Sequence, residues 1–144
     1  MELKIKKMRD NAIIPTKGDP EAAGIDLYAC IKGSTTLTPG ATAMIPSGIA
    51  CEFPEGYFGA VAVRSSVGTK RHLVLANQLG IIDNSYRGEI LMAFTNTGEQ
   101  NQTIEPGERL AQMILLPYVT YNIIETDSLS ETERGDGGFG STGK

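Results

Sequence analysis

The sequence is poor in the residues that build disulfide frameworks, compact metal centres and membrane spans. Its 144 residues include two cysteines, one histidine and no tryptophan. Cys30 and Cys51 form no Cys-x-x-Cys pair, so a disulfide framework is not expected and a reducing compartment fits. The start of the chain lacks the apolar run of a signal peptide, and no stretch approaches the length of a membrane span. These absences predict a soluble protein in the cytoplasm, or in a host cell's cytoplasm if a phage encodes it.

Positive charge is also scarce, which limits the possible partners. The formal net charge is −4 and the pI is about 5.0, whereas a general nucleic-acid binder needs a basic face to displace counterions. The composition therefore predicts neither a nucleic-acid partner nor a membrane partner. A small anionic substrate remains open, because a few local Lys and Arg side chains can gather it. The length predicts one domain, residues 1–144, with a sizeable core.

Glycine and proline are frequent, and they divide the chain into short segments. Pro39-Gly40, Pro54-Glu55-Gly56, Asn96-Thr97-Gly98 and Pro106-Gly107 are turn signals. Short β-rich runs lie between them, which predicts an all-β, jelly-roll-like sandwich or barrel. One short helix is expected at 65–70, with Ser65 or Ser66 as a candidate cap. The predicted strands are Ala41–Ile49, Tyr57–Val63, Glu89–Thr95, Arg109–Pro117 and Tyr121–Ile124.

The C-terminal segment differs in composition from the rest. Residues 134–144 contain five glycines, one arginine and one phenylalanine. Such a segment is usually a disordered end. Glycine-rich backbone can also approach phosphate oxygens closely and donate several N–H groups. Arg134 can add a charged contact and Phe139 can stack on a base. We expect residues 127–144 to be a mobile arm that closes over the active site.

A second distinctive segment, residues 80–90, has two apolar runs around a polar turn and predicts a β-hairpin. Asp83 lies in the turn, where an aspartate is more often a turn former than a catalyst. The alternative role is general base, because the single histidine, His72, lies between basic and apolar residues and is expected at the surface. The hairpin therefore supplies a carboxylate candidate for proton transfer.

Three shorter segments carry polar residues in an apolar context. Arg64 and Ser65 stand at a predicted strand end and helix start, where anions are favoured. Asp26 lies in an apolar strand, and an aspartate there needs a charge partner, hydrogen bonds or a metal. Arg109 and Gln112 lie in another apolar strand. Each of these residues can also be a satisfied structural group.

Taken in order, these segments resemble the five motifs of trimeric dUTPases, over nearly the whole chain. The motif segments are 23–29, 64–66, 80–88, 109–112 and 134–143. The most specific are Gly-Ile-Ile-Asp-Asn-Ser-Tyr-Arg-Gly and Arg-Gly-Asp-Gly-Gly-Phe-Gly-Ser-Thr-Gly. The resemblance implies a dUTP diphosphatase that releases dUMP and pyrophosphate, keeps uracil out of DNA and supplies dUMP for thymidylate synthesis. It also implies Mg²⁺ as cofactor and a homotrimer whose subunits share each active site.

The resemblance further implies a role for each matching residue. Asp83 activates the water that attacks the α-phosphorus, and Tyr86 lies against the deoxyribose and excludes a 2′-hydroxyl. Asp26 contacts Mg²⁺ through water, the metal being held mainly by the triphosphate. The substrate-binding positions are Arg64, Ser65, Ser66, Asn77, Gly80, Ile82, Tyr86, Gln112, Arg134, Phe139, Gly140, Ser141 and Thr142.

Three positions depart from the family pattern. Val63 replaces the usual proline, Ser66 the usual glycine, and Ser85 a frequent second acidic residue. Ser66 is the most consequential, since its side chain stands where backbone is expected to meet phosphate. It can narrow that approach or donate an additional hydroxyl hydrogen bond.

Other functions account for fewer features of the sequence. A deoxycytidine-nucleotide deaminase has a related fold but uses a glutamate elsewhere and lacks this Phe-containing tail. A zinc nucleobase deaminase requires a His/Cys/Cys site, which the sequence lacks. A regulatory binding protein would act through protein partners, and the sequence has no obvious additional insertion for that role. A purely structural jelly roll would explain the strands but not the tail. Turnover of dUTP separates an enzyme from a binder.

Overall fold

The computed structural model describes residues 1–138, and that part of the chain consists of eleven short strands and one helix. The helix, α1 (Ser65–Arg71), follows the sixth strand directly. The strands are β1 (Lys4–Lys7), β2 (Gly24–Tyr28), β3 (Thr35–Leu37), β4 (Thr42–Pro46), β5 (Ile49–Glu52), β6 (Tyr57–Val63), β7 (Leu73–Leu75), β8 (Gly80–Ile82), β9 (Leu91–Asn96), β10 (Gln102–Ile104) and β11 (Arg109–Pro117).

The strands pair antiparallel in four small sheets. The largest has the order β2-β11-β6-β8, and a second has the order β4-β9-β7. Two ladders, β1-β5 and β10-β3, complete the described part. The longest strand, β11, lies in the interior of the largest sheet, so β2 and β8 form its two edges. This order puts the segments around Asp26 and Asp83 at opposite edges of one sheet.

Alternating burial explains why these segments become strands. In β9 every second residue is buried, so one face packs into the core. Phe94, Leu27, Leu73 and Leu110 have no exposed surface. Full burial of such a side chain contributes about 1.5–3 kcal/mol. The buried amide of Asn96 donates to the carbonyl oxygens of Leu37 and Gln100, at 3.0 and 2.8 Å, and thereby fixes the end of β9.

The expected all-β, jelly-roll-like architecture with one short helix is confirmed. Two predicted strands, Tyr57–Val63 and Arg109–Pro117, have the observed bounds. The run Ala41–Ile49 is two strands, because the chain turns at Gly48 with φ of +76°. The strand predicted at Tyr121–Ile124 is wrong: the segment is irregular, and Ile123 is 90% exposed. Without a pairing strand in the described chain, its apolar side chains remain in solvent.

Both cysteines are buried, and the described part of the chain has one short helix. Cys30 and Cys51 are separate, buried thiols, and burial raises the pKa of Cys51 to about 11. In residues 1–138, no helix combines the length and the apolarity needed to cross a membrane.

Candidate active site

A cleft at the β2 edge brings together residues from three of the sequence motifs. Asp26 comes from β2, Arg64 and Ser65 from the junction of β6 and α1, and Gln112 from β11. We call it the Asp26 cleft. Its lining residues are Gly18, Asp19, Ala22, Ala23, Gly24, Asp26, Arg64, Ser65, Arg109 and Gln112.

The register of the sheet places the Asp26 and Gln112 side chains together. Gln112 is directly opposite Asp26 on one side and Ala62 on the other. Opposite residues of antiparallel strands project to the same face. Gly24 keeps this face open, because a Cβ there would lie 3.4 Å from Oε1 of Gln112 and 3.2 Å from a backbone oxygen. The sheet thus presents a carboxylate and an amide to the same cleft.

A β-bulge adds Arg109, which the sequence motifs did not assign to the site. The β11–β2 register shifts between Arg109 and Ala111, so Arg109 is opposite Tyr28 while the next pair is Ala111 with Leu27. Without the shift, Leu110 would project to the face of Gln112. With it, Leu110 is buried and Arg109 Nη1 donates to Asp26 Oδ2 at 3.1 Å. A bulge has no sequence signature here, which is why Arg109 was missed.

Two guanidinium groups therefore flank one carboxylate. Arg64 Nε lies 3.1 Å from Asp26 Oδ1, and Arg109 is bound to Oδ2. The Asp26 side chain is only 15% exposed, so these ion pairs are better shielded than surface pairs. A guanidinium carries five N–H donors, and the contacts with Asp26 leave further donors on each arginine. The arrangement can hold an anion with several oxygens, such as a phosphate group.

Ser65 and Ser66 begin the helix instead of capping it. Arg64 is the N-cap residue, with extended backbone and no side-chain capping bond, so the expected serine cap is wrong. The Arg64 carbonyl already accepts hydrogen bonds from the Val67 and Gly68 amides, each at 3.0 Å. The helix therefore starts one residue earlier than a serine cap requires. Both serines are exposed, and Ser65 lines the Asp26 cleft whereas Ser66 does not.

The segment with Asp83 is a turn between two sheets, so the predicted hairpin is wrong. Strand β8 pairs with β6, and the following strand β9 pairs with β4 and β7. Residues 83–86 form a tight turn closed by the Tyr86 amide and the Asp83 carbonyl, 3.0 Å apart. Asn84, which the sequence did not single out, fixes the turn: its Nδ2 lies 2.8 Å from the carbonyl oxygens of Pro54 and Tyr57. Asp83 itself is exposed.

Tyr86 folds over the backbone that follows it. Its hydroxyl donates to the Glu89 carbonyl at 3.0 Å. A Cβ at Gly88 would lie 2.3 Å from the Tyr86 hydroxyl oxygen, so only glycine leaves room for this arrangement. The Tyr86 side chain remains 45% exposed in the described chain. The ring is held in place at one end and accessible at the other.

The edge strand β8 brings the base-binding candidates together. Gly80 is buried, Ile82 is half-buried, and the Asn77 amide lies 3.8 Å from the position of a Cβ at Gly80. In the part of the chain that the structure describes, β8 is paired on one side only, with β6. Alternate residues of such an edge direct N–H and C=O away from the sheet. Backbone donors and acceptors are therefore accessible at this edge.

The two groups of candidates do not meet within one chain. Asp83 lines a separate pocket with Phe58, Ser85, Tyr118 and Tyr121 among its neighbours, and no described residue lines both pockets. Strands β2 and β8 are three strand spacings apart, about 14 Å at 4.7–4.9 Å each. Within the described residues, Arg134 Nε donates to the Gly137 carbonyl of its own segment at 2.9 Å. Phe139, Gly140, Ser141 and Thr142 lie outside the described residues.

The comparisons with known proteins agree on one family. The family model described as dUTPase matches residues 10–143. The deoxyuridine 5′-triphosphate nucleotidohydrolase of Escherichia phage T5 is 46% identical, with 98% of each chain covered. The enzyme of that name from Bordetella avium is 42% identical, covering 100% of this chain and 97% of its own. A solved structure of the Staphylococcus bacteriophage 80alpha dUTPase with dUPNHPP aligns at a TM-score of 0.90, 29% identity and 99% coverage of both chains. The chain belongs to the dUTPase family.

Proposed function

We propose that the chain hydrolyses dUTP to dUMP and pyrophosphate at a site that combines the Asp26 cleft with the Asp83 turn. The observation that carries this proposal is the convergence of Asp26, Arg64, Ser65 and Gln112 on one cleft, from three separate motifs. Because the chain is a dUTPase family member, dUTP is the substrate that this cleft is proposed to take. A triphosphate is a dense negative charge, so its hydrolysis depends mainly on positioning and electrostatic stabilisation.

The Asp26 cleft is proposed to hold the phosphates. Arg64 and Gln112 direct N–H donors into the cleft, and Ser65 adds a hydroxyl. Ser66, the next residue of the helix, is exposed and is proposed to contact the phosphates from outside the cleft lining. Arg109 is proposed to keep the Asp26 carboxylate oriented. These groups together fix the triphosphate relative to the attacking water.

Mg²⁺ is proposed to contact the side chains of this cleft through its water ligands. Among residues 1–138 there is no group of three or more His, Cys, Asp or Glu side chains placed to hold a metal ion. Each Asp26 oxygen already contacts a guanidinium, yet a carboxylate oxygen retains a second lone pair for a water ligand. Asp26 is therefore proposed to contact hydrated Mg²⁺. When bound to the triphosphate, Mg²⁺ neutralises part of its charge.

The β8 edge is proposed to recognise the base and the sugar. Backbone groups of Gly80 and Ile82, with the Asn77 amide, are proposed to match the donors and acceptors of uracil. Cytosine would leave buried donors unpaired and is thereby rejected. The Tyr86 ring is proposed to pack against the deoxyribose where a 2′-hydroxyl would project.

Asp83 is proposed to be the general base. Its carboxylate accepts a proton from a water molecule as the water oxygen bonds to the α-phosphorus. The bond between the α-phosphorus and the bridging oxygen breaks, and pyrophosphate leaves with that electron pair. Asp83 is exposed at the end of β8, so water can reach it. His72 follows α1 in the chain and does not line the pocket of Asp83.

A homotrimer with shared sites is proposed from the separation of the two groups. Asp26 and Asp83 occupy separate pockets at opposite sheet edges of one chain. A neighbouring subunit can supply Asp83 and Tyr86 to the Asp26 cleft. The exposed apolar segment 119–129 supports association, since such side chains favour a partner surface. Its exposed apolar residues are Val119, Tyr121, Ile123, Ile124 and Leu129.

The C-terminal arm, residues 127–144, is proposed to be part of a single domain that spans residues 1–144. Residues 118–138 contain no helix or strand and extend from the end of β11. Residues 127–144 are proposed to reach the site and cover it, with Arg134 contacting the γ-phosphate, Phe139 the base, and Gly140, Ser141 and Thr142 the phosphates.

The decisive experiment compares turnover of dUTP, dCTP, dTTP and UTP by the purified chain with Mg²⁺. We expect pyrophosphate release from dUTP far above the other three nucleotides. Release of ammonia from the cytosine nucleotide would favour a deaminase, and no turnover of any nucleotide would contradict the proposal.

A further inference from the structure

An ion pair behind the Asp83 turn connects the N-terminal segment to the loop that carries Tyr86. Arg9 Nε and Nη2 donate to Glu89 Oε1 and Oε2, at 2.6 and 2.8 Å, so the contact is bidentate. The Glu89 side chain is 17% exposed. These hydrogen bonds from Arg9 are the main cause that lowers the pKa of Glu89. Nothing in the proposed chemistry uses either residue.

Glu89 is also bound to a rigid part of the fold. The Gly48 amide donates to Glu89 Oε1 at 2.9 Å. Gly48 has φ of +76°, and a Cβ there would lie 2.5 Å from the Cys30 sulfur, so only glycine fits at this position. On the other side, the Met8 amide donates to the Gly48 carbonyl at 2.7 Å. The Glu89 carboxylate is therefore held by the Gly48 backbone amide and the Arg9 guanidinium.

The backbone of the same residue holds Tyr86. The Tyr86 hydroxyl donates to the Glu89 carbonyl, and the ring lies over Gly88. Fixing the Glu89 carboxylate therefore fixes the acceptor that orients the ring. We infer that the Arg9–Glu89 pair is a positioning device for Tyr86 and contributes to the selection of deoxyribose over ribose. This inference rests on the proposed role of Tyr86.

The test measures kcat/KM for dUTP and for UTP with the full-length chain and Mg²⁺. In Glu89→Ala and in Arg9→Met, the dUTP-to-UTP ratio should fall by roughly three- to tenfold, the size expected for one coupled contact. Glu89→Gln should recover part of the ratio, because its amide oxygen can still accept the Gly48 N–H. The double variant should be no worse than Glu89→Ala, since both changes break one device.

Glu52→Ala is the matched control. Glu52 pairs with Lys4 at 2.6 Å across the neighbouring β1–β5 ladder and has no described contact with Tyr86. It should leave the ratio at the wild-type value. Arg9→Met also guards against misfolding, because the Arg9 side chain is 47% exposed. An unchanged ratio in both Glu89→Ala and Arg9→Met, with only a lower melting temperature, would overturn the inference.

Tyr86→Ala separates the inference from the proposed function. If Tyr86→Ala lowers the ratio while the Glu89 and Arg9 variants do not, the positioning role alone is wrong. If Tyr86→Ala itself keeps the wild-type ratio, the proposed sugar gate fails, and the inference fails with it.

Discussion

At the scale of single residues, the candidate chemistry depends on one exposed carboxylate held by a well-anchored turn. Asn84 donates hydrogen bonds to the backbone carbonyls of Pro54 and Tyr57 and thereby fixes the turn that carries Asp83. General-base catalysis requires such positioning as much as it requires a suitable carboxylate.

We predict that Asp83→Asn lowers kcat by about 10²–10⁴-fold, the usual contribution of a general base. Nucleotide binding should persist, because asparagine has nearly the same shape and the phosphate cleft is unchanged. Pyrophosphate release and analogue binding measure the two effects. Asp10→Asn, at an exposed position outside the proposed site, serves as control. Near-normal turnover in Asp83→Asn would remove Asp83 from the mechanism.

We predict that Gly88→Ala reduces the preference for dUTP over UTP. The new methyl group would lie 2.3 Å from the Tyr86 hydroxyl oxygen, so the ring must move. The ratio of kcat/KM for the two substrates should fall by about tenfold, a change of roughly 1.4 kcal/mol in relative transition-state stability. Gly33→Ala is the control, since a Cβ there has no atom within 4 Å. An unchanged ratio in Gly88→Ala would show that the position of Tyr86 does not matter.

Some important residues could not be predicted from the sequence at this scale. Arg109 reaches Asp26 only because of the bulge beside Leu110, and a bulge depends on how two distant strands pair. Asn84 was passed over because an asparagine in a turn usually bonds to its own backbone, whereas here it bonds to a segment about thirty positions away. Both roles depend on long-range contacts.

At the scale of elements, prediction succeeded where a strand is bounded by turn residues and has partners on both sides. Strands β6 and β11 meet both conditions, and their bounds were predicted correctly. Residues 121–124 are also rich in apolar residues but have no partner strand in the described chain, so composition alone led to a wrong strand prediction there. The hairpin at Asp83 was wrong because β8 pairs with β6 and β9 pairs with β4 and β7, in different sheets.

The pairing of β2 with β11 also bears on magnesium. Both Asp26 oxygens contact arginines, and Asp26 is proposed to reach a cation through water. We predict weak Mg²⁺ binding to the free protein by calorimetry, because no compact set of carboxylates is present in residues 1–138. With a non-hydrolysable dUTP analogue, Mg²⁺ should strengthen binding in the wild type and less so in Asp26→Asn. Tight binding of Mg²⁺ to the free protein would contradict this assignment.

At the scale of the whole molecule, the separation of Asp26 from Asp83 predicts complementation between subunits. In the proposed homotrimer, chains lacking residues 134–144 and chains with Asp83→Asn should each be nearly inactive when unmixed. The deletion should leave the fold intact, because the last of the described strands ends at Pro117. Mixed trimers should regain activity, since an intact Asp83 and an intact tail can meet at one site.

Subunit exchange is verified by native mass spectrometry before activity is measured. A mixture that is not allowed to exchange is the control and should stay inactive. Mixed trimers without any recovered turnover would mean that each tail closes over the Asp83 of its own chain.

The position of β11 has a consequence for the folding of the chain during its synthesis on the ribosome. This strand lies between β2 and β6 in space, yet it comes last of all the described strands in synthesis. The Arg109–Asp26 contact joins residues 83 positions apart. Until residue 117 has left the exit tunnel, β2 and β6 therefore lack the strand that pairs with both of them. The proposed nucleotide site cannot form in the nascent chain before then. A chain interrupted before β11 exposes two unpaired strand edges, which makes it a target for chaperones and proteases.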